Sequence, residues 1–179
     1  MNTAFRKISA FSLVELVTSM AIFGLIALMV GSIYLAHFRL FSNQNKIIDV
    51  SNENKIALDE ITNQIRESKA VVATCPNCAP DDTTDLLNQP SSKIVLELWP
   101  LNQNGEPFEP AGSAFDYVVY KRDAVDNTKL VKKVIPDAAS TRRQDEDVLI
   151  KEVDLLSFTF NSTIASQVSQ VETTITTKG

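Results

Sequence analysis

An uninterrupted apolar run near the N-terminus is the feature that most constrains what this chain can form. Between Leu16 and Ala36 there is no Asp, Glu, Lys or Arg. At about 1.5 Å of helical rise per residue, a run of about 21 residues is roughly 31 Å long, which matches a hydrocarbon core about 30 Å thick. The sequence therefore predicts one membrane-spanning helix.

The charges that flank this run predict its orientation. Arg6 and Lys7 are the only charged residues before Glu15. Because positive charge before a span holds that side in the cytoplasm, we expect a single-pass inner (cytoplasmic) membrane protein with a cytoplasmic N-terminus and an extracytoplasmic C-terminal domain. A secretory signal peptide fits less well, since its apolar region is shorter and its small-residue cleavage site follows that region.

Glu15 is the anomaly of this segment, because it lies just inside the apolar stretch. An ionised side chain at the centre of a bilayer costs about 2.5 kcal/mol or more, so a carboxylate here calls for a partner. A simple signal anchor has no use for such a group. In the first turn of a helix a carboxylate is favoured by the helix dipole. We predict a pairing role for Glu15, with extension towards the lipid headgroups as the alternative.

The residues around this carboxylate are Ala10-Phe11-Ser12-Leu13-Val14-Glu15-Leu16. They resemble the class III signal of type IV prepilins and type II secretion pseudopilins. In that family a prepilin peptidase cuts on the cytoplasmic side, before the aromatic residue, and methylates the new amine. The resemblance implies cleavage between Ala10 and Phe11, N-methylation of Phe11, and an assembly role for Glu15 opposite the amine of a neighbouring subunit. The family most often has Gly before the cut, where this chain has Ala10.

The resemblance also implies a function. A helix followed by a long β-rich region is similar to minor pilins and to the J-type minor pseudopilins, which are structural subunits of filaments. The expected partners are prepilin peptidase, other pilin or pseudopilin subunits and the inner membrane. Secretion, adhesion, motility and DNA uptake all stay open as the purpose of the filament. The alternative is a membrane-tethered extracytoplasmic binding module that does not assemble, and Phe11 followed by Glu15 distinguishes the two.

The helix is predicted to continue beyond the span. No proline interrupts the chain from Phe11 to Cys75, and apolar residues recur at steps of three, four and seven. They are Ile47, Val50, Ala57, Leu58, Ile61 and Ile65. We therefore divide the chain into a cleaved leader (1–10), a transmembrane or filament-core helix (11–38), its amphipathic continuation (39–72) and an extracytoplasmic β-rich globular domain (73–179).

The C-terminal region has the pattern of an antiparallel sheet. Residues 75–92 are rich in Pro, Asp, Asn and Thr and predict a loop. Five β-branched and aromatic runs follow without intervening helices, at 93–99, 115–121, 129–135, 148–160 with a break, and 168–176. The predicted fold class is α+β, with the long helix packed on the sheet in a pilin-like roll.

Two cysteines, Cys75 and Cys78, lie in the predicted loop. Two cysteines alone cannot complete a tetrahedral zinc site, which needs four ligands, and the single histidine, His37, is far away in the chain. A structural disulfide is favoured if the domain is exported, with free thiols or a redox or metal role as alternatives. Three acidic residues of the same loop are calcium candidates, but their spacing matches no EF-hand. They are Asp81, Asp82 and Asp85.

Nothing in the sequence favours an enzyme. A hydrolytic triad needs a histidine beside a nucleophile, and His37 lies at the membrane edge. The chain has no phosphate-binding or dinucleotide-binding glycine motif, and its net charge of −5 disfavours a nucleic-acid surface. We expect no cofactor, no metal and no small-molecule substrate. Trp99 and Tyr120 are interpreted as core or sheet-rim residues.

Overall fold

A computed structural model describes residues 12–110, 112 and 114–177 of the chain. It contains two compact units, Met1–Ile47 and Ile48–Gly179. A long helix, α1 (Leu13–Glu67), begins in the first unit and ends in the second. The second unit also holds two antiparallel sheets, so the predicted α+β class is confirmed.

The larger sheet has five strands in sequential order, β1 to β5, and each neighbouring pair is antiparallel. Strands β6 and β7 form a second antiparallel sheet, and a single 3-10 turn, Ala165–Gln167, lies between them in the chain. The strands are β1 Ala70–Val72, β2 Ile94–Leu98, β3 Asp116–Arg122, β4 Leu130–Ile135, β5 Asp145–Ile150, β6 Val153–Phe160 and β7 Val171–Thr177.

Each strand predicted from the sequence has a counterpart, and the break expected within 148–160 separates β5 from β6. Strand β5 begins earlier than predicted, at Asp145. Acidic residues have low strand propensity, which concealed the first half of β5 in the sequence. Pairing with β4 overrides that propensity, since Glu146 lies opposite Lys133 and Asp147 opposite Lys132.

The prediction that the helix continues to residue 72 is wrong, because α1 ends at Glu67. The Ser68 hydroxyl donates to the Ile65 carbonyl oxygen at 2.6 Å, and the Ser68 amide donates to the Gln64 carbonyl oxygen at 2.9 Å. These bonds satisfy carbonyl groups that the end of a helix leaves free. The next amide, of Lys69, donates to the Glu97 carbonyl oxygen at 2.8 Å and starts the β1–β2 ladder.

One face of the larger sheet packs on the C-terminal part of α1. The helix contributes the buried residues Ala57 and Ile61, with Ile65 partly buried beside them. Ile47, which the sequence pattern placed on this face, is 62% exposed. The core that the helix joins contains Val71, Leu86, Ile94, Leu96, Leu98, Val118, Tyr120, Leu130, Val134, Ile150, Val153, Leu156, Phe158 and Phe160.

The opposite face of the sheet carries a second, smaller core. Its buried members are Val95, Tyr117, Val119 and Ile135, and both cysteines of the 73–92 loop pack against them. The loop is tied to the sheet by Thr84, whose hydroxyl accepts from the Val95 amide at 2.7 Å. The loop thus shields a sheet face that would otherwise be exposed.

Asp82 fastens this loop to two adjacent strands. Its side chain is fully buried and pairs with Lys121 of β3 and with Lys133 of β4, the latter at 3.0 Å. Burial alone would raise the pKa of the Asp82 carboxyl, but hydrogen bonds and charges from the two lysines hold that pKa below its usual value. Burial opposes the charge of Lys121, yet Asp82 and Asp81 raise the Lys121 pKa above normal.

We expect Asp82→Asn to lower the free energy of unfolding by about 3 kcal/mol near pH 7, because it leaves two partly buried ammonium groups without their carboxylate. The measurement is urea unfolding of the detergent-solubilised chain, followed by fluorescence of Trp99, the only tryptophan. The control is Asp81→Asn, since Asp81 is 56% exposed and 3.6 Å from Lys121.

The same contact predicts a pH dependence of stability. Because the Asp82 pKa is lowered in the folded state, its contribution is complete above about pH 4 and is lost as the pH falls through the folded value. Because the Lys121 pKa is raised, its contribution is complete below about pH 10 and is lost as the pH rises through the folded value. Equal acid sensitivity of the unmodified and Asp82→Asn chains would contradict this.

Candidate functional site

Glu15 lies in the first turn of α1. The Ser12 carbonyl oxygen accepts from the Glu15 amide at 3.0 Å and from the Leu16 amide at 3.2 Å, which starts the helix immediately before the carboxylate. Glu15 is exposed and has no ion pair within residues 12–110, 112 and 114–177. The predicted cleavage residues Ala10 and Phe11 lie outside the described residues.

The residues after Glu15 form a surface that suits lipid. The helix is long and apolar enough to cross a membrane, and its most apolar stretch has no buried residue. Large side chains are exposed all round it, from Leu16 at 53% to Phe23 at 74%. Exposed apolar side chains on every face of a helix are typical of a membrane span and not of a helix at the surface of a soluble domain.

The serine and threonine hydroxyl groups of this segment are satisfied within the helix. Thr18 Oγ1 donates to the Val14 carbonyl oxygen at 2.9 Å, Ser19 Oγ to that of Leu16 at 2.9 Å, and Ser32 Oγ to that of Met29 at 2.8 Å. These bonds remove the cost of placing a hydroxyl in hydrocarbon. Glu15 differs from them because no described side chain neutralises it.

A further group of exposed apolar side chains lies C-terminal to the uncharged run that ends at Ala36. Phe38 and Phe41 are each 63% exposed, Ile48 is 55% exposed and Ile56 is 68% exposed. The sequence pattern predicted a packing face for Ile47 and not for these residues. Phe41 and Ile48 share a seven-residue spacing, and both lie C-terminal to the charged residue Arg39.

Within the second unit, the structure joins Cys75 and Cys78 in a disulfide, with their Cα atoms 5.3 Å apart. The Cys78 amide donates to the Cys75 carbonyl oxygen at 3.3 Å, which closes a tight turn. The disulfide lies against the smaller core. Its position indicates a structural contribution to the 73–92 loop.

The three calcium candidates are engaged in other contacts. Asp82 is paired with lysines, and Asp81 lies 3.6 Å from Lys121. Asp85 accepts from the backbone and side-chain amides of Asn88, at 2.9 and 3.0 Å, which lowers the Asp85 pKa. Among the residues that the structure describes, no group of three His, Cys, Asp or Glu is placed to hold a metal ion.

The remaining residues singled out in the sequence are dispersed. Tyr120 is fully buried in the main core, and burial raises its pKa. Trp99 is partly exposed and packs edge-on against Phe115, with ring centroids 5.5 Å apart. His37 lies exposed in α1, in the first unit.

One buried pair had no signal in the sequence. Asp116, at the start of β3, is fully buried and accepts from Arg142 Nε at 2.9 Å and from the Ser140 hydroxyl at 2.8 Å. The Asp137 amide also donates to it, at 2.8 Å. The four residues come together only through the fold of the loop between β4 and β5, and their hydrogen bonds account for the buried charge.

No protein-family model, curated protein or solved structure matches this chain.

We expect thiol labelling of the native protein to detect no free cysteine without reductant and two cysteines after reduction under denaturing conditions. The Cys75→Ser/Cys78→Ser variant should still fold and should lose less than the roughly 3 kcal/mol expected for a loop of about 15 residues, because the loop between these cysteines is much shorter. Strong labelling of the unreduced, folded protein would overturn the disulfide assignment.

Proposed function

We propose that this chain is a structural subunit of a membrane-anchored, pilus-like filament, of the minor pilin or J-type minor pseudopilin kind. Prepilin peptidase removes residues 1–10 on the cytoplasmic side of the inner membrane and methylates Phe11, and the second unit lies outside the cytoplasm. The observation that carries the proposal is the carboxylate of Glu15 in the first turn of an apolar helix. Secretion, adhesion, motility and DNA uptake all stay open as the purpose of the filament.

The physical argument begins with the charge. Removal of the leader creates an amine at Phe11, and an ammonium group and a carboxylate that are each alone in a low-dielectric environment cost several kcal/mol. Association of two subunits lets the Phe11 amine of one neutralise Glu15 of the other. The charge that is unfavourable in a lone anchor thereby fixes the relative position of two assembled helices.

The apolar helix supplies the second argument. The large apolar side chains from Leu13 to Leu35 are exposed, so they need lipid before assembly and other helices after it. Thr18, Ser19 and Ser32 add no unsatisfied donors, because they bond within the helix. A filament core of apolar helices therefore replaces lipid with packed side chains and leaves the ion pair as the specific contact.

A membrane-tethered binding module is the competing function. Such a module needs the span and the folded second unit, but gains nothing from Glu15 at the start of the span. The two functions thus differ in what they require of one residue, and substitution of Glu15 separates them.

We expect the mature chain in its native host to begin at Phe11 and to carry an N-methyl group. The cut follows from the resemblance of residues 10–16 to the class III signal and from the cytoplasmic side assigned by Arg6 and Lys7. Intact-mass analysis of membrane-extracted protein measures both changes. Retention of Met1 while the peptidase is present would remove the proposed processing.

We expect Glu15→Leu to insert into the membrane and lose its leader normally, while its recovery in filaments falls about tenfold or more. A contact worth more than about 1.4 kcal/mol produces a change of that size. The measurement is the fraction of processed protein in sheared filaments relative to the membrane pool.

Glu67→Leu is the matched control, because Glu67 is an exposed carboxylate at the other end of the same helix. It should enter filaments as the unmodified chain does. Equal incorporation of Glu15→Leu and the unmodified chain would favour the tethered module.

A further inference from the structure

Strand β5 forms one edge of the five-stranded sheet, and its outer side is open. At the other edge of the sheet, β1 has three residues, and the 3-10 turn Ala165–Gln167 lies beside it. Strand β5 (Asp145–Ile150) has six residues, and β4 is its only neighbouring strand among the described elements. A strand of this length with one free side is a template for pairing with another chain.

The free backbone groups of β5 belong to every second residue. In an antiparallel ladder, successive residues direct their amide and carbonyl groups alternately towards and away from the neighbouring strand. The Glu146 amide donates to the side chain of Asp145 at 3.0 Å, which places Glu146, and therefore Val148, on the outward side. No described loop donates to the Glu146 carbonyl oxygen or bonds to the backbone of Val148. These groups remain available to an added strand.

The side chains at the start of β5 carry a negative charge that the fold does not compensate. The lysines opposite them on β4 are engaged elsewhere, because Lys132 pairs with Glu60 of α1 and Lys133 pairs with Asp82 at 3.0 Å. Three consecutive acidic side chains of β5 are therefore exposed and without an ion pair in the described part of the chain. They are Asp145, Glu146 and Asp147.

This charge restricts which strand can pair with β5. Charged side chains on an edge strand deter aggregation, but the deterrence depends on the sign of the incoming charge. A second β5 strand would bring acidic side chains opposite acidic ones, and like charges directly opposite each other are destabilising. A strand with Lys or Arg at the same positions is attracted. The edge thus disfavours a second copy of this chain and favours a cationic partner.

Val148 adds an apolar position next to the acidic ones. It is 49% exposed, although Val131, its partner on β4, is buried. An apolar side chain of an added strand would lie directly beside Val148, as cross-strand neighbours do. Strand β4 already shows a sequence that pairs with this pattern, since Val131, Lys132 and Lys133 lie opposite Val148, Asp147 and Glu146.

We propose that β5 is a docking edge for an extended, cationic segment of another protein, which adds to the sheet as a sixth strand. Hydrogen bonds to Val148 and to the Glu146 carbonyl oxygen hold the segment, as in other cases of strand addition. Basic side chains opposite Asp147 and Glu146 select it and accelerate its association. This contact concerns the second unit alone and does not depend on assembly of the chain into a filament.

The test measures the binding of a labelled peptide to the detergent-solubilised full-length chain by fluorescence anisotropy. The peptide is acetyl-Thr-Thr-Val-Lys-Lys-Lys-Thr-Thr, labelled at its C-terminus. In antiparallel pairing its valine lies opposite Val148 and its lysines lie opposite Asp147, Glu146 and Asp145. We expect saturable binding that weakens severalfold when salt rises from about 0.05 M to about 0.5 M, because salt screens exposed charges. Absence of binding at the lower salt concentration would overturn the docking edge.

Control peptides separate strand addition from simple charge attraction. Replacement of the three lysines by glutamates should weaken binding about tenfold or more, because it brings like charges together. N-methyl groups on the valine and middle-lysine amides keep every charge but remove the donors that face β5, and binding should again fall about tenfold or more. N-methyl groups on the first and third lysine amides face away and should be tolerated. Equal binding of the two N-methylated peptides would overturn the added strand.

Variants of the chain test the location. Glu146→Gln/Asp147→Asn should weaken peptide binding severalfold, since it removes two of the proposed charge pairs. Asp59→Asn/Glu109→Gln is the matched control, because it removes two exposed acidic groups outside β5, and it should bind as the unmodified chain does. An equal loss in both double variants would show that net charge attracts the peptide and would overturn the site.

A second copy of the chain is the alternative occupant of this edge. Asp147→Cys and Glu109→Cys variants of the full-length chain should form cross-links between copies to the same small extent, since both positions are exposed. If Asp147→Cys cross-links severalfold more than Glu109→Cys, β5 pairs with a second copy, and the cationic partner is overturned.

Discussion

The described part of the first unit has an apolar surface that its own chain leaves exposed. Every described side chain from Ser12 to Asp49 is exposed, including aromatic residues such as Phe23 and Phe41. An apolar surface of this size is unstable in water, so it requires either lipid or other helices around it. The assembly proposed for the chain follows from how this surface is covered at each stage.

A charged group changes what such a surface can do. Apolar packing alone is non-directional, and it gives helices no preferred axial position. Glu15 is a polar group at a defined position in the first turn of an apolar helix. Because an unpaired charge in a low-dielectric environment is costly, it favours the alignment in which it is paired.

The second unit differs from the first, because it buries both faces of its five-stranded sheet within the chain. Helix α1 covers one face through Ala57 and Ile61, and the 73–92 loop covers the other. A loop has little regular backbone hydrogen bonding, so specific side-chain contacts hold this one in place. These are the disulfide, the Thr84 hydroxyl and the buried carboxylate of Asp82 between two lysines.

The sequence by itself determined the features that depend on local patterns. The helix that is long and apolar enough to cross a membrane follows from the absence of charge between Leu16 and Ala36. The strands β2, β3, β4, β6 and β7 follow from β-branched and aromatic runs. Glu15 was identified because a carboxylate beside such an apolar segment is costly whatever tertiary structure the chain adopts. These are properties of residues and their near neighbours, so no tertiary contact is needed to recognise them.

Tertiary structure alone decided the features that depend on distant partners. Residues 70–72 form a strand and not a helix because β2 offers them a ladder, and the acidic residues of β5 are extended because β4 pairs with them. Asp82 was a calcium candidate in the sequence and is a lysine partner in the fold, since Lys121 and Lys133 are adjacent only across two strands. Contacts between residues this far apart in the chain depend on the topology of the sheet, which local propensity does not encode.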